Sequence, residues 1–196
     1  MKILMIAMLI IPFSFVKAQP QEISSKTFGI KAGANFSNLR SIDGDNSKSA
    51  DMKLGFHGGV FLNVPVGFIF SIKPEVMYSL EGAQDNTDDS KTNLHYLNIP
   101  VLLQYNNQSG IFIETGPQIG FLVSAKAKYA GTRVDLKDQI EKTNFSWCLG
   151  AGYILDSGIG FNARYNLGLS NIAKKANGDP KTKSNVFQLG LFKSFQ

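Results

Sequence analysis

Five charged residues lie on the same face of their predicted strands, opposite the apolar side chains, so they share one parity. They are of residue types that could do chemistry together. Ammonium, guanidinium and carboxylate groups that converge can form ion pairs, line a pore or pass protons. We expect them to pair and to fill a narrow lumen, because an uncompensated buried charge is costly. The predicted lumen ionic cluster consists of Lys31, Lys73, Glu75, Glu114 and Arg164.

Other reactive side chains form no complete site in the sequence. His57 and His95 are isolated, without further ligands at metal-binding spacing. His95 with Ser79 or Ser90 resembles the base and nucleophile of a lipid A-modifying barrel enzyme, but no recognisable motif accompanies the pairing. We therefore predict no catalytic residue, no cofactor and no metal, and that the protein is not an enzyme.

Three polar loops carry weaker signals. Residues 43–46 and 85–89 have a calcium-like composition but lack the full spacing of a calcium-binding loop, so a solvated loop is the favoured interpretation. The last long loop carries lysines that either meet lipopolysaccharide phosphates or only keep the loop soluble. These lysines are Lys174, Lys175, Lys181 and Lys183.

Eight stretches of alternating apolar and polar residues must position these side chains, and each is typical of a β-strand. In the clearest one, apolar side chains lie on one face while Glu114 and Gln118 alternate with glycines on the other. The predicted strands are Thr27–Phe36, Lys53–Asn63, Phe68–Glu81, Tyr96–Tyr105, Ile111–Phe121, Asn144–Leu155, Ile159–Leu169 and Ser184–Phe195.

The connections between these strands alternate between long and short, which is typical of an outer-membrane barrel with short periplasmic turns and long external loops. We therefore predict an all-β fold, an eight-stranded antiparallel up-and-down transmembrane β-barrel, with both termini in the periplasm. Within the third long loop, residues 134–142 could form a helical turn. The open alternative is a secreted soluble binding barrel of the lipocalin type, which would carry its apolar residues inside.

The first 18 residues predict a signal peptide, with a charged start, an apolar run of about 14 residues and a small-x-small site before cleavage after Ala18. That run is too short for a transmembrane helix. The predicted organisation is a signal peptide (1–18), a polar N-terminal tail (19–26) and the barrel (27–196). The single cysteine, Cys148, allows no disulfide, and a net charge of +5 is too modest to indicate nucleic-acid binding.

Several segments resemble the PorT-like outer-membrane β-barrel family of Bacteroidetes. They are GIKAGANFSNL, YLNIPVLLQY, GPQIGFLVSAK, VDLKDQIEKTNFSWCLGAGY and VFQLGLFKSF. The resemblance implies an outer-membrane barrel, and some members of that family are linked to protein secretion. We expect a structural, interaction or envelope-assembly role. The expected partners are outer-membrane lipid, lipopolysaccharide and envelope or secretion proteins, with no nucleic acid, and the barrel is expected to be a monomer.

Overall fold

The computed structural model describes residues 26–43, 46–85, 90–129, 132–174 and 181–195. The predicted signal peptide, nearly all of the polar tail and the side chains of the two acidic loop segments lie outside this part of the chain. The strands within it are β1 (Thr27–Asp43), β2 (Asn46–Ser49), β3 (Lys53–Pro65), β4 (Phe70–Asp85), β5 (Ser90–Asn106), β6 (Ile111–Tyr129), β7 (Thr132–Asp135), β8 (Thr143–Ile154), β9 (Ile159–Gly168) and β10 (Lys181–Phe195).

Eight of the strands close into an antiparallel barrel. Neighbours hydrogen-bond in the order β10-β9-β8-β6-β5-β4-β3-β1, and β1 pairs back onto β10 from Phe28 opposite Phe195 to Ile42 opposite Lys181. The short strands β2 and β7 extend β1 and β6 at the end of the barrel away from the termini. The predicted eight-stranded up-and-down barrel is confirmed, because each of the eight wall strands pairs with a neighbour on both sides.

The long connections are more regular than the sequence indicated. β1 continues to Asp43, and β4 and β5 continue to Asp85 and Ser90. These extensions carry polar residues on both faces, so the two-residue alternation of a half-buried strand is lost there although the backbone still pairs.

The segment considered for a helical turn does not form a helix. Its first residues belong to β7, and the Leu136 N–H donates to the Ala125 carbonyl oxygen at 3.0 Å. Only one tight turn follows, in which the Gln139 N–H donates to the Leu136 carbonyl oxygen at 2.9 Å, before Ile140 bridges to Ala173. Pairing with β6 and with residue 173 holds this segment extended at both ends.

The outer surface of the barrel is apolar. Side chains such as Leu149, Leu191 and Phe161 are more than half exposed, whereas the alternating positions point inward and are mostly polar and buried. This is the reverse of a lipocalin-type barrel, so the soluble alternative is wrong. No helix long and apolar enough to cross a membrane occurs in the described part of the chain.

Glycine at position 33 allows β1 to lie tightly against β10 and the lumen. A Cβ at Gly33 would collide with the Leu189 carbonyl oxygen and lie 2.7 Å from His57 Cε1, whereas a Cβ at Gly58 would first meet the Lys31 carbonyl oxygen at 3.7 Å. We expect Gly33→Ala to lower the free energy of unfolding by about 1–3 kcal/mol. The control Gly58→Ala should change it by less than about 0.5 kcal/mol. Urea unfolding in micelles measures both, and equal losses would contradict the packing argument.

Candidate functional site

The centre of the lumen is a buried ion-pair cluster around Arg164, which β9 projects inward. Its Nη1 and Nη2 donate to Glu75 Oε2 and Oε1 at 2.7 and 2.8 Å. Its Nε and Nη2 donate to Glu114 Oε1 at 2.9 and 2.6 Å. All three residues are at most 2% exposed. Every nitrogen of the guanidinium is therefore bonded, and one cation joins strands β4, β6 and β9.

Lys73 forms ion pairs with the same two carboxylates from the side nearer the chain termini. Its Nζ lies 3.5 Å from Glu114 Oε2 and 3.9 Å from Glu75 Oε1. Lys31 is buried in the same layer, but its Nζ makes no hydrogen bond with the residues that the structure describes. The structure thus brings the five residues of the sequence-derived cluster together, four of them in direct ion pairs. Three bases and two acids give the layer a formal charge of +1.

The surroundings of Lys31 contain two unused acceptors. A Cβ on Gly190 would lie 2.7 Å from Asn162 Oδ1, 3.0 Å from Lys31 Cε and 3.2 Å from His57 Nε2. Neither Asn162 Oδ1 nor His57 Nε2 has a partner among the described residues. An ammonium donor therefore lies near an amide oxygen and a ring nitrogen, beside a glycine that leaves them room.

The tautomer of His57 follows from its hydrogen bonds. Asn35 Nδ2 donates to the carbonyl oxygens of Phe56 and Leu80 at 2.9 and 3.0 Å, which turns Asn35 Oδ1 toward His57 Nδ1 at 2.8 Å. We therefore assign the proton to Nδ1, which leaves Nε2 as an acceptor. No group of three or more histidines, cysteines, aspartates or glutamates that could hold a metal occurs in the described residues.

A third buried acid, Glu81, which the sequence reasoning missed, lies closer to the end with the long connections. Glu81 Oε1 accepts from Ser79 Oγ and Asn98 Nδ2, both at 3.0 Å, and Oε2 accepts from Ser184 Oγ at 3.3 Å. Lys53 Nζ donates to the Glu81 carbonyl oxygen at 3.1 Å. Glu81 shares the inward parity of Lys73 and Glu75, so continuing the count up that strand would have found it.

An aromatic layer closes the lumen at the end that carries the termini. Phe61, Phe112 and Phe192 are buried together, and the Lys73 Nζ lies 4.6, 5.3 and 5.1 Å from the centres of their rings. The ammonium therefore contacts carboxylates on one side and aromatic rings on the other. The sequence signal for this ring was again parity: Phe112 stands two residues before Glu114 and therefore lies on the same inward face. We call this layer the aromatic floor.

An aliphatic layer closes the opposite end. We call it the aliphatic roof, and its buried residues are the aliphatic Leu94, Leu122, Ala125 and Ile172 together with the aromatic Tyr96. Ile172 comes from the connection after β9, where its N–H donates to the Thr182 carbonyl oxygen at 2.9 Å and its carbonyl oxygen accepts from the Glu141 N–H at 2.7 Å. Two long connections therefore fold over the barrel and lend a side chain to its closure.

The pairing considered for a lipid A-modifying enzyme is not assembled. Ser79 lies in the lumen and bonds Glu81, whereas His95 lies on the outer surface with Nδ1 2.6 Å from the Tyr78 hydroxyl. The barrel wall separates the two side chains. The side chain of Ser90, the other proposed partner of His95, is outside the described part.

Comparison with known proteins agrees with the architecture. Residues 17–174 match a family model described as an outer membrane protein beta-barrel domain. The crystal structure of the attachment invasion locus protein Ail of Yersinia pestis aligns with a TM-score of 0.52 at 14% identity, over 88% of this chain and 100% of that one. Neisserial surface protein A aligns with a TM-score of 0.52 at 13% identity and the same coverage. These identities show the fold alone, and curated protein sequences gave no significant match.

Proposed function

Because this chain belongs to the outer membrane protein beta-barrel domain family, we propose that it is a non-enzymatic barrel whose closed body supports interactions at the extracellular end. The protein is located in the bacterial outer membrane. The observation that carries the proposal is the filling of the lumen, in which the aromatic floor, the ion-pair cluster and the aliphatic roof follow one another. The residues that the structure describes bring no nucleophile and base together there.

Because the lumen is filled, we propose that the extracellular end of the barrel carries the interactions. Short periplasmic turns and long external connections are the rule for such barrels, so the extended strands, β2, β7 and the folded connections face the exterior. These backbone segments are hydrogen-bonded to one another and to the barrel, which gives a partner a preorganised surface. We propose outer-membrane lipid, lipopolysaccharide and envelope or secretion proteins as partners of a monomeric barrel.

Within the family, we propose that the chain groups with the PorT-like barrels. Support comes from the strand and turn segments GIKAGANFSNL, YLNIPVLLQY and VFQLGLFKSF. A contribution to protein secretion is one form that the interaction role would then take. These segments lie in wall strands β1, β5 and β10 and include no catalytic signature.

Deleting the gene should leave the lipid A mass spectrum unchanged, because the described residues assemble no hydrolytic or acyl-transfer site. A photo-crosslinking residue at Gln139, in the external connection, should capture partners in cells. The same residue at Gln108, in a periplasmic turn, is the control for adducts that do not depend on the extracellular end. A lipid A species that depends on the gene and on His95 would contradict the non-enzymatic role.

A further inference from the structure

A polar cavity of about 860 Å³ opens at the end of the barrel that carries the short turns. Short turns face the periplasm in outer-membrane barrels. The base of the cavity is the aromatic floor, so the cavity is blind and does not lead into the lumen. Its volume is within the range of about 300–1,000 Å³ that is typical of small-molecule sites. We call it the periplasmic cavity.

Hydrogen bonds between neighbouring strand ends hold the rim of the periplasmic cavity in place. The Ile154 N–H donates to the Gly110 carbonyl oxygen at 2.9 Å, and the Ser194 N–H donates to the Gly158 carbonyl oxygen at 2.8 Å. Both glycines have a positive φ, of 87° and 78°, which residues with a side chain rarely adopt. Two tight turns are therefore each bonded to the next strand along the wall, which makes the rim preorganised for a ligand.

Side-chain amides supply much of the polar lining. They belong to Asn63, Gln104, Asn106, Asn107 and Gln108. Gln104 Nε2 donates to Asn106 Oδ1 at 2.5 Å, and Asn106 Nδ2 donates to Ser71 Oγ at 2.9 Å. This chain of bonds leaves Gln104 Oε1 buried and, like Asn63 Oδ1, without a partner among the described residues. A ligand that carries hydrogen-bond donors would satisfy these two oxygens after a small movement of each amide toward the cavity.

The cations that line the periplasmic cavity are already engaged within the described structure. Lys73 Nζ lies 3.5 Å from Glu114 Oε2, and Lys193 Nζ donates to the Ser157 carbonyl oxygen. Asp156 is exposed in a turn at the rim. An anion would therefore meet an exposed carboxylate and no unpaired cation among the described lining residues, which favours a neutral ligand.

We propose that the periplasmic cavity binds the end of a neutral glycan. A sugar ring carries hydroxyl donors around a C–H surface, which matches amides along the wall of the cavity and aromatic rings at its base. The blind base admits the end of a chain and stops a chain that would pass through. The glycan of the cell wall and a free periplasmic oligosaccharide share this chemistry. The proposal goes beyond the proposed function, which concerns the extracellular end.

An extended peptide is the alternative occupant of such a cavity. Extended peptides add to an open strand edge, where main-chain hydrogen bonds give the affinity. Each of the eight wall strands is already paired on both sides, so the barrel wall offers no such edge here. The lining supplies side-chain amides instead, which suits sugar hydroxyls.

Titration calorimetry of the protein in nanodiscs tests the proposal with three probes. N,N′-diacetylchitobiose represents the N-acetylated glycan of the cell wall, maltose represents a free oligosaccharide, and an alanine tripeptide with both ends capped represents a neutral peptide. We expect sugar binding and no binding of the peptide. Tighter binding of diacetylchitobiose than of maltose would identify the cell-wall glycan as the source, and the reverse order would identify a free oligosaccharide.

Two variants localise the binding to the periplasmic cavity. Gln104→Leu should weaken sugar binding about tenfold, because it removes one buried acceptor. Ser109→Leu should weaken it about fivefold, because Ser109 is exposed on the rim and the larger side chain narrows the mouth without entering the wall. The matched control is Gly67→Leu in the periplasmic turn that does not line the cavity, where an added Cβ meets nothing within 4 Å. It should keep wild-type affinity.

Three results would overturn the proposal: no sugar binding at millimolar concentration, capped peptide bound as tightly as either sugar, or equal sugar affinity in Ser109→Leu and Gly67→Leu. The second result would identify a peptide segment as the occupant. None of them bears on the proposed function, which fails through gene-dependent changes in lipid A chemistry instead.

Discussion

Replacing Arg164 by methionine should lower the free energy of unfolding by about 3–5 kcal/mol, because it leaves two buried carboxylates without their principal partner. Arg164 donates two hydrogen bonds to Glu75, at 2.7 and 2.8 Å. It also donates the shortest hydrogen bond that Glu114 accepts, at 2.6 Å. Methionine keeps much of the side-chain volume, so the loss reports on charge and hydrogen bonding rather than on a cavity.

Arg164→Lys is the matched control, since it keeps the positive charge but loses the planar fork that binds both carboxylates. We expect it to fall between the wild type and Arg164→Met. Unfolding can be followed in micelles through the fluorescence of Trp147, the single tryptophan of the chain. A methionine variant as stable as the wild type would show that the cluster contributes nothing to the barrel.

A second substitution tests whether the stability effects of changing Arg164 and Glu114 are coupled or simply additive. In a Glu114→Gln background, Arg164→Met should cost less than in the wild type, because one of the two carboxylates that it exposes has already been neutralised. The coupling energy should fall at about 0.5–3 kcal/mol, the range for residues in one ion-pair network. Purely additive losses would mean that Arg164 and Glu114 are not energetic partners.

The wall of the barrel could be predicted from the sequence because inward and outward positions alternate along each strand within the apolar belt. Arg164, Glu75 and Glu114 each stand on the parity opposite the apolar residues of their strands, and the structure places them together. Closure then brings strands that are distant in sequence around one narrow lumen. Parity therefore predicted both the barrel fold and the residues that form the ion-pair cluster.

Parity predicts only part of the two closures of the lumen. It puts Phe112 on the inward face with Glu114, but the rings that Phe112 meets across the lumen depend on the register of all eight strands. The roof depends on Ile172, which lies in a connection without periodicity. It also depends on the β-bulge in β6 between Leu122 and Ser124, which shifts the parity of that strand above the belt.

The wild-type protein should show no steady single-channel conductance in a planar bilayer. Three closures follow each other along the lumen: the aromatic floor, the ion-pair cluster and the aliphatic roof. The interior of an eight-stranded barrel is just wide enough for side chains to fill it, so we expect no water-filled path for a hydrated ion through the described part of the lumen. A wide porin measured in the same bilayer is the positive control for insertion and detection.

Because the closures act in series, opening one end should not create a channel. Phe112→Ala combined with Phe192→Ala removes most of the aromatic floor but leaves Arg164 bonded to both carboxylates and leaves the roof in place. We expect this variant to be less stable than the wild type and still not to conduct. An ion crossing the remaining layers would have to displace a salt bridge in a water-poor interior, where separating the partners costs several kcal/mol. Steady conductance of the wild type would refute closure altogether, whereas conductance of this variant alone would make the aromatic floor the single barrier.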